Sequence, residues 1–259
     1  MDNGLRRKLT LCLYLTRMEF ERRFAGSVGG RLWVFVGPLT TIAVIWVALD
    51  FGLGMRGSVG PGYGLSLAIG LSAWLFFAEG VNTSLASITS NPHLVKKIVF
   101  PVILLPASNV LAAFAVHLVV LVVVLSALLA QGQALSLAFL TLPFWIGCQF
   151  VLTASIAILV SGLNVISRDV SAIAPNIMSF LFWLTPVIWP ISTMPERWRL
   201  VALLNPGAGI IEGYRYAILG GAKPYGLIGT LVFASGLSLF SIACYEAFRR
   251  LRLRFADVM

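Results

Sequence analysis

Six apolar runs, each about as long as a helix needs to cross a bilayer, constrain this chain more than any other feature. They cover residues 33–51, 64–87, 102–130, 135–163, 171–189 and 225–248. About 20 apolar residues suffice to span the hydrocarbon core. The composition agrees: 59% of the 259 residues are apolar and 11% charged, against roughly 45–50% and about 25% in soluble domains. So few charges cannot cover so much apolar surface in water, which excludes an ordinary soluble enzyme, a disordered chain and a disulfide scaffold. The net charge of +9 does not indicate nucleic-acid binding, because the basic residues sit in short segments between apolar runs. Cys12, Cys148 and Cys244 are odd in number and lack metal-ligand spacing. The expected fold class is an all-α integral membrane protein.

Residues 5–24 differ from the spans. Arg6, Arg7, Lys8, Arg17, Arg22 and Arg23 alternate with Leu5, Leu9, Leu13, Phe20 and Phe24, whose side chains fall within an arc of about 100° on a helix. This pattern predicts an amphipathic helix lying in the membrane interface. A signal peptide is the alternative, but its apolar core at 9–15 is short and no small-residue cleavage site follows it. With six spans both termini lie on one side. Fourteen of the nineteen Lys and Arg residues fall on that side and five on the other, which places both termini in the cytoplasm. Residues 190–224, on the outer side, are too apolar for a solvated loop and too broken for two full spans. Re-entrant half-helices around Asn205-Pro206 fit them, and non-helical backbone at membrane depth must be buried in protein or line a wet path.

Enzyme signatures are missing. There is no nucleophile elbow, paired-histidine zinc motif or Walker A sequence, and Gly52-Leu53-Gly54-Met55-Arg56-Gly57 matches a dinucleotide pattern without the strand and helix that pattern requires. Gly26 to Gly30 offers only a weak small-residue packing match. His117 falls in the third run, where helix packing is its simplest use. Glu79 is the carboxylate set well inside a run, a functional candidate by default unless it is protonated or paired near the surface. Trp74 with Phe77, and Phe180 with Trp183, are i,i+3 pairs that each share a helix face. Such faces suit sugar C–H surfaces, while composition alone favours lipid-facing packing or an interfacial belt, which Trp189 fits best.

Several segments, in order along the chain, resemble the membrane subunit of ABC type-2 polysaccharide exporters. They are Arg22-Arg23-Phe24 with Ser27, Gly30, Leu32, Trp33 and Pro38; Trp74-Leu75-Phe76-Phe77 with Glu79; Asn91-Pro92-His93-Leu94-Val95-Lys96-Lys97-Ile98-Val99-Phe100-Pro101; Ser167-Arg168-Asp169-Val170; Thr185-Pro186-Val187; Asn205-Pro206; and Glu212-Gly213-Tyr214-Arg215. Gly26 to Gly30 is richer in glycine than the family pattern. The resemblance implies one transmembrane domain over 1–259: interfacial helix 1–32, spans one to five in 33–190, an outer re-entrant gate at 191–224, span six at 225–248 and a cytoplasmic tail at 249–259. It implies a homodimer in the bacterial inner membrane that binds two ATP-binding cassette subunits. These would hold the ATP and Mg, leaving this chain without a cofactor or metal of its own. The cargo would be lipid-linked polysaccharide, capsule or O-antigen, and a periplasm-spanning export protein would be a further partner. Related permeases export teichoic acids or drugs.

On that frame, each candidate residue has a role to test. Trp74, Phe77, Phe180 and Trp183 would line a substrate canal. Arg17, Arg22 and Arg23 would meet the lipid phosphate bidentately, or serve only as attraction to anionic lipid. Asn91, Leu94, Val95, Lys96, Lys97 and Ile98 would form a coupling loop with an apolar knob, its helix starting at Pro92 with Asn91 as N-cap, or a plain positive-inside anchor. Arg168 and Asp169 would make a second, smaller contact. Asn205, Pro206, Glu212 and Arg215 would form the outer gate. A membrane-embedded lipid-modifying enzyme is the reading from another class, but its only acidic candidates, Glu79 and Asp50, lie in different spans. A secondary transporter would want inverted repeats, which the halves do not show.

Overall fold

The computed structural model of the chain describes residues 2–23, 32–54, 62–95, 100–133 and 136–255. Gly26 to Gly30, Arg31, Arg56, Lys96, Lys97 and Ile98 lie outside the described residues. Among those described, all regular structure is helical. Helix α1 is Asp2–Arg23, α2 is Trp33–Val47, α3 is Tyr63–Leu85, α4 is Pro92–Val95 and α5 is Leu104–Ala130. Helix α6, Leu142–Ile166, is led in by a 3₁₀ turn at Leu137–Thr141; α7 is Asp169–Leu184, α8 is Glu196–Leu203, α9 is Pro206–Leu219 and α10 is Leu227–Arg252.

Five stretches are long and apolar enough to cross a membrane: Trp33–Gly52, Tyr63–Leu85, Leu104–Ala130, Leu137–Ile166 and Leu227–Arg252. They match five of the six apolar runs to within a few residues. The sixth differs. The run at 171–189 yields only the 16 residues of α7, about 24 Å at 1.5 Å per residue, against a hydrocarbon core of ~30 Å. The cause is local. Pro186 disfavours helical backbone at the residue before it, and Thr185 is extended at φ −98°, ψ 137°.

Helix α3 is the axle of the fold, packed against α5, α6 and α9 and flanked by α2 and α7. Its buried face includes Leu67, Ile69, Leu71, Phe76 and Val81. In lipid the apolar effect does not drive one helix onto another, so close approach and interhelical hydrogen bonds must do so. Both are present. Side chains Asn164, Gln149 and Ser84 donate to the carbonyls of Leu85 at 3.0 Å, Ala73 at 3.3 Å and Pro106 at 3.3 Å. At Gly70 a Cβ would collide with the Val187 carbonyl oxygen, and at Gly213 one would enter the Trp145 ring. By contrast α2, α7 and α10 bury only two or three side chains each. Their outward faces carry Val44, Ile173, Ile177, Leu231, Val232 and Ile242, all exposed, as suits helices that meet lipid or another subunit.

Candidate functional site

One end of the bundle is tied by a single side chain. Arg215, on α9, is 4% exposed. Its Nε donates to the Ser66 carbonyl at 3.2 Å, and Nη2 to Val187 at 2.7 Å. Nη1 donates to the carbonyls of Pro186 and Trp189 at 2.7 and 3.3 Å and to Glu212 Oε1 at 2.7 Å. That carboxylate oxygen also accepts from the Ile191 backbone N–H at 2.9 Å. The guanidinium thus satisfies carbonyls of the turn after α7, which has left the helix and cannot satisfy them itself. The expected Glu212–Arg215 pair is present, and it is woven into backbone from α3 and the post-α7 turn. The break at Asn205-Pro206 is also as expected. Asn205 Oδ1 caps α9 by accepting from the Gly207 N–H at 3.0 Å, and Pro206 occupies the first turn, where its missing N–H does no harm. Asn205 Nδ2 donates to Thr185 Oγ1 at 2.9 Å, so the cap of α9 is bound to the end of α7.

Next to Arg215 in the chain, Tyr214 meets His117 of α5. His117 Nδ1 lies 3.1 Å from the Ser72 carbonyl and Nε2 lies 3.0 Å from Tyr214 Oη. A carbonyl can only accept, so Nδ1 donates to it, while Nε2 shares a hydrogen bond with the tyrosine hydroxyl. The ring stacks on Phe76 at 5.1 Å and 19°. One histidine thus joins α3, α5 and α9. It also borders a cavity of about 350 Å³ between α2, α3 and α5, which Glu79, Trp33, Thr41 and Ser72 help to line. Glu79 is exposed and so stands at the side of this space, not in the core.

The four aromatic candidates separate into two pairs. Phe77 is buried and Trp74 half-buried; they lie 5.5 Å apart and both line a cavity of about 170 Å³ between α3, α6, α7 and α9. Phe180 and Trp183 are 71% and 68% exposed on the outward face of α7. Within one subunit the α7 ring that reaches Trp74 is Phe182, at 5.5 Å. The i,i+3 pattern passes over Phe182 because it lies about 100° around the helix from its neighbours.

At the opposite end, α1 packs on α5. Leu9 and Leu13 point outward while Cys12 is buried. A groove of about 680 Å³ runs between α1, α4 and the ends of α3 and α5, lined by Arg22, Glu19, Asn91, His93 and Asn109 among others. Arg17 pairs with Glu21 at 2.9 Å and Arg22 with Glu19 at 3.4 Å. Helix α4 begins at Pro92, and the Asn91 carbonyl accepts from Leu94 and Val95. The Asn91 side chain does not cap. Its amide turns back to the Ser87 carbonyl at 2.9 Å. Leu94 and Val95 are half-buried against the cluster formed by Ile88, Val102, Leu105, Val165, Phe248 and Phe255, so they hold the loop to its own bundle instead of standing free as a knob. His93 and Pro92 are the exposed residues of this helix, and Arg168 and Asp169, at the start of α7, are both exposed. Among the described residues no group of three or more His, Cys, Asp or Glu side chains could hold a metal ion.

Residues 10–219, most of the chain, match the ABC-2 type transporter family. The chain belongs to that family. Two curated relatives are named O-antigen export system permease protein RfbA. The one from Klebsiella pneumoniae is 30% identical over 250 residues, covering 96% of this chain and 95% of its own length. The one from Myxococcus xanthus is 28% identical over 207 residues, covering 79% and 78%. As an ABC-2 permease the chain is a multi-pass transport component and not an enzyme, and its family implies pairing with an ATP-binding subunit.

Proposed function

We propose that this chain is the permease subunit of an ATP-driven exporter that carries lipid-linked polysaccharide of the O-antigen type across the bacterial inner membrane. The near-full-length similarity to O-antigen export permeases carries this reading. The fold adds an apolar bundle with aromatic rings on its outward surface and at a cavity beside it. In this account two copies pair through the sparsely buried faces of α2 and α7, so that Phe180 and Trp183 of each line a shared canal continuous with Trp74 and Phe77. A sliding polymer is better served by many weak ring contacts than by a few tight hydrogen bonds. Helix α7 with its following turn makes the sixth crossing, α8 and α9 re-enter from outside as the gate, and both termini are cytoplasmic.

Work enters at the cytoplasmic end. Two ATP-binding cassette subunits bind the α4 loop, with Arg168 and Asp169 as the smaller contact, while Arg17, Arg22 and Arg23 on the interfacial α1 receive the lipid phosphate. Because Leu94 holds the loop to the bundle, Leu94→Asp is expected to disrupt loop packing as well as coupling. His93→Asp touches only the exposed side and is expected to lower polymer-stimulated ATP hydrolysis while leaving permease levels unchanged. Equal stimulation in the variant and the parent would remove the α4 loop from the coupling path. The reading as a whole is tested by deleting the gene in its own cells. Lipid-linked polymer is expected to accumulate inside, and re-expression should restore it to the surface; unchanged surface polymer without the gene would refute the assignment.

A further inference from the structure

Helix α8 turns its apolar side outward. None of its described side chains is buried, and it rests on α9 and on the 3₁₀ turn Ile191–Thr193. At 100° per residue, Leu204, Arg197, Val201 and Trp198 fall within an arc of about 120°, and all four are exposed. Arg199 and Leu203 lie on the opposite side and are half-buried. The two arginines are used differently. Arg199 is spent on backbone: its Nε donates to the Met194 carbonyl at 3.0 Å and its Nη2 to the Ser192 carbonyl at 2.9 Å. Arg197 holds its guanidinium carbon 5.9 Å from the centre of the Trp198 ring and, among the described residues, makes no hydrogen bond or ion pair. An apolar arc with an uncommitted cation in its middle therefore faces away from the protein.

One bond sets the level of this face. Tyr225 Oη donates to the Leu203 carbonyl at 2.9 Å, and Tyr225 stands two residues before Leu227, where the membrane-crossing helix α10 begins. The C-terminal end of α8 is thus held close to the plane where α10 enters the bilayer. Leu227 and Ile228 open α10 with an exposed apolar surface, which Leu204 at the tied end of α8 extends. Charge then decides what covers the arc. Water leaves Trp198, Val201 and Leu204 unanswered. A second copy docking face to face about a twofold axis would set one Arg197 against the other. A bilayer surface suits every member: indole and aliphatic groups sit where head groups meet acyl chains, and a guanidinium takes a phosphate. Lys223, exposed on the turn before α10, adds a second cation, and Glu196, the exposed carboxylate of α8, lies beyond the edge of the arc. Resting on the proposed orientation, in which α8 lies outside, we infer that α8 is the foot of the outer gate, lying in the head-group layer of the outer leaflet with Trp198, Val201 and Leu204 at the acyl boundary and Arg197 on lipid phosphate. Helix α9 is fixed to the bundle by Arg215, so lipid holds the half of the gate that protein does not.

The test uses the full chain, purified and reconstituted in vesicles, with Cys12, Cys148 and Cys244 replaced by alanine. Nitroxide labels are placed singly at Val201→Cys, in the arc, and at Ser192→Cys, on the exposed turn. Their collision rates with oxygen, which concentrates in the bilayer, and with a nickel chelate, which stays in water, are measured. The vesicles are phosphatidylcholine alone or an equal mixture with phosphatidylglycerol. Val201→Cys is expected to favour oxygen, and Ser192→Cys nickel. Nickel reaches Val201→Cys only while α8 is lifted, so the anionic lipid should lower that rate roughly fivefold, the factor one cation near an anionic surface carries. Arg197→Glu should remove most of this dependence, and Arg197→Lys should keep it. Preference for nickel at Val201→Cys in both vesicles puts the face in water and overturns the inference. Poor access to both reagents, with spin–spin broadening between labels, marks a second copy and overturns it too. A nickel rate that ignores lipid charge, or a lipid dependence that survives Arg197→Glu, does the same. Side is read separately in spheroplasts, where an impermeant maleimide is expected to reach Ser192→Cys. Labelling only after lysis overturns the outer orientation and the inference with it, whereas the vesicle outcomes leave that orientation standing.

Discussion

Two regions of this permease carry the same local motif and use it differently. Glu212 and Arg215 on α9 are an i,i+3 pair at 2.7 Å with side chains 14% and 5% exposed. Arg17 and Glu21 on α1 are an i,i+4 pair at 2.9 Å, but 76% and 47% exposed. Sequence spacing makes both pairs possible; surroundings decide what each contributes. An exposed pair is screened by solvent and must hold two long side chains still, so it contributes little. The buried arginine also satisfies four backbone carbonyls, and removing it would strand both them and a carboxylate. The α9 pair is therefore a strut between α9, α3 and the turn after α7. The α1 pair lies on the outside of its own helix and spans four residues of it.

The largest effect that could break this contrast is Arg215→Met. It should lower the stability of the purified permease by about 3–5 kcal/mol, read as the unfolding midpoint in detergent. Arg215→Lys should rescue little, since an ammonium cannot reproduce the fork. An unchanged unfolding midpoint would put the α9 pair in the same class as the exposed α1 pair. Next come His117→Phe and Tyr214→Phe. Each should cost about 0.6–2 kcal/mol, and a double-mutant cycle should show them coupled; strictly additive losses would mean that the hydrogen bond between these two side chains does not join α5 to α9.

Smaller in stability, yet larger in function, is Trp183→Ala. At an exposed position it should shift stability by no more than about 0.5 kcal/mol while lowering surface polymer at equal permease levels. Unchanged export would take α7 out of the canal. The smallest stability change is expected for Arg17→Lys with Arg22→Lys. Reduced export from this pair at unchanged stability would point to bidentate phosphate contact; unchanged export would leave only charge attraction to lipid.

The apolar runs make most of the helices legible in the sequence, because length and apolarity alone decide whether a segment can span. The fifth run is longer than its helix: apolar residues continue to Trp189, but Pro186 ends the helix first. Asn205-Pro206 is legible as a helix start because capping is a local rule. Arg215 is legible only as half of an ion pair; its carbonyl partners lie on α3 and beyond α7, and no spacing rule reaches them. Gln149 gives no signal at all, since its bond to the Ala73 carbonyl follows from how α3 and α6 cross. Leu94 reads as a free knob in the sequence because an apolar, turn-flanked residue looks the same whether it faces a partner or its own bundle.

The central claim is ATP-coupled movement of lipid-linked polysaccharide through this subunit. Its most direct measurement reconstitutes the permease and its ATPase subunit in vesicles with the lipid-linked polymer. The polymer crossing to the far side is followed by its sensitivity to an added glycosidase. The account predicts crossing that requires ATP, is absent without the permease, and fails when Trp183→Ala is combined with Phe180→Ala. Crossing at the same rate without ATP, or ATP hydrolysis with the polymer held on its original side, would contradict it.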